Sequence, residues 1–198
     1  MNILSFLIYC IVVTFTPGPA NIVILSSTQK VGARRTMPYV WGATLAFGLL
    51  LTASAFLNQV LADVLPGILR FMKVIGSIYM LYLAYQVYRM GSTEAAPQAI
   101  LGFWNGLMMQ FVNPKVVLFT FTVIPAYVLP YVAAESWSAF AYVMLITCIG
   151  FLAYSSWVVF GSVFRSLLNR YQRTCSVLMA LFLIYSAIIV SGLISDTP

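Results

Sequence analysis

Eight residues interrupt the apolar character of this chain. Pro17, Gly18, Pro19 and Asn21 sit inside one long hydrophobic run, and Gln110, Asn113, Pro114 and Lys115 sit inside another. Proline lacks the N–H that closes the helical ladder, and its ring pushes against the preceding turn. In hydrocarbon each freed backbone group costs several kcal/mol unless protein or water meets it. Breaks of this kind are tolerated where they pack against other helices or line a polar cavity. The chemistry on offer is recognition rather than bond making. Side-chain amides both donate and accept, and a helix that restarts after a proline presents the positive end of its dipole to anions.

Lys115 is the sharpest of the eight. A charge at the centre of a spanning helix costs at least ~2.5–3.5 kcal/mol on insertion scales, and such residues usually face a cavity or a partner. Two readings stand. The lysine holds a substrate carboxylate, or it is a structural lysine bonded to carbonyls freed by the break. Asn21, Gln110 and Asn113 divide evenly between binding substrate and capping backbone. Two ordinary proline kinks, satisfied by neighbouring helices, are the alternative to a paired site.

The elements that must position these residues are membrane helices. Of 198 residues, 62% are hydrophobic and 7% charged, against about 25% charged in a typical soluble domain. Histidine is absent, and the acids are Asp63, Glu94, Glu135 and Asp196. That inventory argues against a metalloenzyme or a histidine-based hydrolase, so no catalytic residue, metal ligand or cofactor is expected. The +6 net charge comes from basic residues spread over loops, which read as topology signals rather than a nucleic-acid surface. Cys10, Cys148 and Cys175 follow no metal or redox spacing and read as small core residues. The N-terminal Met1-Asn2-Ile3-Leu4 lacks the basic region of a secretory signal, so the first apolar segment is expected to be retained.

Hydropathy places six segments at roughly 3–28, 38–61, 68–89, 103–128, 137–160 and 174–194, each near the ~20 residues that cross ~30 Å of hydrocarbon. Short connections make residues 1–198 a single transmembrane domain. A polar link over about 91–102 divides it into halves of about 1–90 and 103–198. Lys30, Arg34 and Arg35 in the first loop, Arg89 at the third, and Arg165, Arg170 and Arg173 in the fifth place the odd-numbered loops in the cytoplasm and both termini outside. Arg70 and Lys73 dissent and read as snorkelling toward the outer interface, with an outer vestibule role as the lesser alternative. Trp104, Tyr131 and Trp137 suit interfacial belts.

Phe103 to Asn113 spans about 15 Å at ~1.5 Å per residue, close to the bilayer midplane. Pro17 lies midway along its own segment, so the first helix of each half carries a break at similar depth. Each half has three helices, so a second copy would enter the membrane inverted. Inverted repeats with interrupted helices hold substrate at the midplane in many secondary transporters. The letters of the two breaks share little beyond phenylalanine and displaced prolines. Gly42, Gly48 and Gly76 read as sites of close helix approach. Tyr79, Tyr82 and Tyr85 lie along one helix face and read as packing, with pore lining as the lesser alternative.

These motifs resemble the LysE-type amino-acid exporter family over essentially the whole chain. The resemblance rests on Thr16-Pro17-Gly18-Pro19, Gly32-Ala33-Arg34-Arg35, Gly42 to Gly48, Gly76-Ser77-Ile78-Tyr79 with Leu81 and Tyr85, and Asn113-Pro114-Lys115. Phe103-Trp104, Gln110-Phe111-Val112-Asn113 and Val128-Leu129-Pro130 look most like its cysteine/O-acetylserine exporter branch. Many relatives carry Asp or Asn directly after Pro-Gly-Pro, whereas this chain has Ala20 and then Asn21. The resemblance implies proton-driven efflux of small amino acids across the bacterial inner membrane, with a homodimer compatible with the small size. With no acid evident at membrane depth, neutral amino acids are expected over lysine or arginine.

Overall fold

The computed structural model describes residues 3–57, 67, 74–89 and 102–191. Among them every regular element is a helix. In chain order these are α1 (Ile3–Phe15), α2 (Pro19–Val31), α3 (Ala33–Phe56), α4 (74–89), α5 (Phe103–Val112) and α6 (Pro114–Val123). A π-helical turn over Ile124–Val128 follows, then α7 (Trp137–Val163), α8 (Arg165–Arg170) and α9 (Gln172–Ser191).

The two proline breaks are real bends. α1 and α2 meet at 51°, and α5 meets the helix that restarts at Pro114 at 68°. Pro19 and Pro114 each begin the second half-helix, where a missing N–H costs nothing and the fixed φ suits the first turn. Among the described residues three helices are long and apolar enough to cross a membrane, and counting each bent pair as one broken span gives up to five. The third expected crossing is described only over 74–89. Arg70, Lys73, the acids Asp63, Glu94 and Asp196, and the link over 91–98 lie outside the described residues.

Two expected loops are largely helical. The basic run after Thr28 was expected as a loop reaching residue 38, yet α2 continues to Val31 and α3 begins at Ala33. Gly32 alone makes the joint, with a φ of 86° that an L side chain rarely adopts. Its N–H closes the end of α2 on the Thr28 carbonyl at 2.9 Å. The fifth loop likewise contains α8.

Helix packing rests on small residues, as expected where lipid removes the hydrophobic drive between helices. A Cβ on Gly42 would land on the Phe103 backbone, and one on Gly106 would land on the Tyr39 backbone, so α3 and α5 touch reciprocally. Gly48 lies against Thr147, and Gly76 lies against the Val112 carbonyl, where a Cβ would stand 2.9 Å from the oxygen. The expectation of close approach at Gly42, Gly48 and Gly76 therefore holds. In α4, Tyr79 packs against the core and stacks on Tyr82 at 6.1 Å, while Tyr82 and Tyr85 are exposed.

Two apolar clusters fill the bundle. One gathers Ile22 to Leu25 of α2 with Tyr39 and Val40 of α3, Leu83 of α4 and Leu183 of α9. The other joins Phe6 and Cys10 of α1 with Phe47 and Leu51 of α3, Val117 and Phe119 of α6, and Ile146 of α7. The helix most enclosed is α2, buried from Pro19 to Gln29. Trp104, Tyr131 and Trp137 are all exposed, as belt residues should be.

Candidate functional site

Ending α1 at Phe15 frees carbonyls, and each finds a donor. The Thr16 N–H and hydroxyl reach the Val12 carbonyl at 3.1 and 2.6 Å, and the same hydroxyl reaches that of Val13 at 2.9 Å. The Asn21 amide nitrogen donates to the carbonyls of Thr14 (3.3 Å) and Thr16 (2.9 Å). The Trp157 indole N–H reaches from α7 to the Phe15 carbonyl at 3.2 Å. Lys115 completes the set from the second break, donating to the Thr16 carbonyl at 2.7 Å, the Thr16 hydroxyl at 3.2 Å and the Pro17 carbonyl at 3.5 Å. A cation at the carboxyl end of α1 also complements the helix dipole.

Gly18 makes room for that lysine. A Cβ there would stand 3.1 Å from Lys115 Cδ and 3.3 Å from Nζ. Its backbone is extended, with φ −158°, so glycine serves space here rather than conformation. Of the two readings of Lys115, the bonds present are those to freed carbonyls.

Gly18, Asn21, Asn113 and Lys115 line one cavity, together with Thr14, Ala20, Phe47, Val116, Phe119 and Tyr154. Four expected site residues are not on its wall. Pro17 is exposed, Pro19 and Pro114 are buried helix starts, and Gln110 is fully buried. Phe47 stacks on Phe119 at 5.9 Å and meets Tyr154 edge-on at 6.4 Å, giving the cavity an aromatic side. The cavity is narrow, about 20 Å³. A single water needs about 10–15 Å³ on this measure, so an amino acid enters only after the walls move.

The polar groups of the wall differ in what they have left to offer. The Thr14 hydroxyl is bound to the Cys10 carbonyl at 2.8 Å, and the Asn21 amide nitrogen is held as above. The Asn21 and Asn113 Oδ1 atoms are buried and have no hydrogen-bond partner. Because Asn21 Nδ2 faces two carbonyls, its Oδ1 is fixed as an open acceptor. Both amide atoms of Gln110 are also unpartnered. The Tyr154 hydroxyl approaches that amide without forming a bond of good geometry.

Three features escaped the sequence reading. Tyr154 belongs to the wall, and its signal was the polar run Tyr154-Ser155-Ser156 inside an apolar helix. The buried run Ser26-Ser27-Thr28-Gln29 marks α2 as the enclosed half-helix. Arg165, expected only as a topology signal, donates from Nε to the Gln29 carbonyl at 3.0 Å and from Nη2 to that of Lys30 at 3.3 Å. Gln29 Nε2 returns a bond to the Leu168 carbonyl at 2.9 Å, tying the end of α2 to α8.

The comparisons with known proteins cover this architecture end to end. The LysE type translocator family matches residues 11–191. The cysteine/O-acetylserine efflux protein of Escherichia coli (strain K12) is 31% identical over 185 residues, covering 93% of this chain and 94% of that protein. The protein of the same name from Salmonella typhi is 29% identical over 192 residues, covering 95% and 96%. No solved structure matches the chain. Both breaks and the cavity between them fall within the matched span, and the chain belongs to the LysE type translocator family, whose work is transport rather than catalysis.

Proposed function

We propose that the protein is a secondary transporter of the bacterial inner membrane that exports small neutral amino acids or their derivatives, driven by the proton gradient. It crosses the membrane six times as two inverted three-helix repeats, with both termini in the periplasm. The observation that carries this reading is the convergence of two broken helices on one cavity, joined by Lys115. Further support comes from relatives named for cysteine and O-acetylserine efflux, and from Lys30, Arg34, Arg35, Arg89, Arg165, Arg170 and Arg173 at the odd-numbered connections.

Substrate binds between the breaks. Its ammonium meets the open Oδ1 atoms of Asn21 and Asn113. Its carboxylate lies at the start of α2, where the N–H groups of Ala20 and Asn21 precede the first ladder bond, Ile22 to Gly18, and draws Lys115 away from the Thr16 carbonyl. Binding then loosens the tie between the two halves, which is the movement a narrow cavity needs. No carboxylate lines the cavity among the described residues, so a second cation on the substrate meets no counter-charge.

Inside-out vesicles carrying the protein test this directly. Cysteine, O-acetylserine or threonine should accumulate against a gradient, and an uncoupler should abolish the accumulation. Lysine uptake as strong as cysteine uptake contradicts neutral selectivity. Equilibration that an uncoupler leaves unchanged contradicts energised transport and indicates a passive channel.

A further inference from the structure

We infer that Tyr154, backed by Gln110 and Tyr39, is a specificity-determining residue whose hydroxyl selects substrates with an uncharged hydrogen-bonding group on the side chain; this rests on the transport site proposed above. Tyr154 is 5% exposed and lines the cavity together with Asn21 and Asn113. Behind it the core turns polar. Gln110 is 0% exposed with both amide atoms open, and the Tyr39 hydroxyl, also buried, has no partner. Tyr39 and Tyr154 belong to the same buried cluster, against which Tyr79 packs. Helices α3, α5 and α7 thus each contribute a buried hydrogen-bonding side chain to this part of the bundle.

Buried polar groups in folded proteins are nearly always paired. Gln110 and Tyr39 lack partners without lining the cavity themselves, and Tyr154 is the cavity residue through which they can reach a ligand. The Gln110 amide beside the Tyr154 oxygen can hold the phenol in place, leaving its proton to face the cavity. Asn21 and Asn113 present acceptors to an ammonium, whereas Tyr154 can both donate and accept. It therefore suits a hydroxyl, thiol or ester on the substrate, and an apolar isostere would leave it unpaired. Gln110 and Tyr39 act through Tyr154 and are positioning residues.

The test is discrimination between isosteres in proteoliposomes, with threonine against valine and cysteine against 2-aminobutyrate. A pocket that hydrogen-bonds the side chain rejects the analogue lacking that group far more strongly than an apolar pocket can. The expected preference, read as kcat/KM, is about tenfold or more for the polar member of each pair. Tyr154→Phe should bring the ratio close to one. Gln110→Leu should lower it in the same direction, with the double variant adding little to Tyr154→Phe. Should Tyr154→Phe be unstable in detergent, ligand protection of the parent protein against heat decides instead. Threonine should then protect at about one-tenth the concentration of valine. Transport of both members of each pair at equal efficiency, or an unchanged ratio in Tyr154→Phe, overturns this inference and leaves the transport site standing. No transport or protection by any of the four amino acids overturns the proposed function with it.

Discussion

Between Val12 and Pro17 each backbone carbonyl meets a donor, whereas around Asn113 buried side-chain groups remain open. The first break draws its donors from α2, α6 and α7 through Asn21, Lys115 and Trp157. The second break is closed mainly by its own backbone. The Asn113 carbonyl accepts from the N–H groups of Val116 and Val117 at 3.0 and 3.1 Å, and Gly76 of α4 covers the Val112 carbonyl. The Asn113 side chain makes no cap, and Gln110 has no well-formed partner. Similar interruptions in sequence have thus become different objects. One is a joint held from outside that leaves a single side-chain acceptor, Asn21 Oδ1, open, and the other keeps the Asn113 acceptor and the whole Gln110 amide in reserve. Open groups at such depth cost stability, so their presence points to a ligand.

Substitutions should separate the two regions by what they cost. The largest effect is expected from Lys115→Met, which strips the Thr16 and Pro17 carbonyls of their charged donor and removes the partner of a substrate carboxylate. Stability should fall by about 1.5–3 kcal/mol, the contribution of hydrogen bonds to a charged group, and export should disappear. Lys115→Arg should recover much of the stability. Full export by correctly folded Lys115→Met protein removes the lysine from the transport mechanism.

Asn21→Leu comes next. It leaves the Thr14 carbonyl without its donor at a cost of about 1–3 kcal/mol, which chemical or thermal unfolding in detergent would register. Trp157→Phe removes one neutral bond at the Phe15 carbonyl and should cost about 0.5–1.5 kcal/mol, with export changed less than twofold. A cost as large as that of Asn21→Leu would mean that the break depends on indole packing rather than on capping. Gln110→Leu sharpens the contrast most. Replacing an unpaired buried amide by an apolar group of similar shape can be neutral or stabilising, so the melting temperature should hold or rise while transport falls. A clear loss of stability would show that Gln110 already has partners in the ligand-free protein.

The positions of both breaks were legible because proline removes a donor wherever it stands, whatever the tertiary context. Glycine at 42, 48 and 76 could be read for the same reason, since a missing side chain has few uses inside a membrane bundle. The correspondence between the breaks was harder to see. Gly18-Pro19 and Asn113-Pro114 both stand at the cap and first position of a half-helix, but the surrounding letters do not align. The joint at Gly32 was hidden by polar neighbours that look like a loop and are in fact helical ends. The partners of Lys115 were illegible in principle. They lie 98 and 99 residues away, and only the assembled bundle brings them within reach. Tyr154 was passed over because a short polar run in an apolar helix looks like packing until its depth and neighbours are known.

The most direct measurement sets Asn21→Leu beside Asn113→Leu, recording for each the melting temperature and the export of a neutral amino acid. Both lose an open acceptor from the cavity, but only Asn21→Leu also uncaps a carbonyl. The contrast between the breaks predicts lost export in both variants, with the melting temperature lowered in Asn21→Leu and held in Asn113→Leu. An equal loss of stability in the two, or normal export by Asn113→Leu, would contradict it.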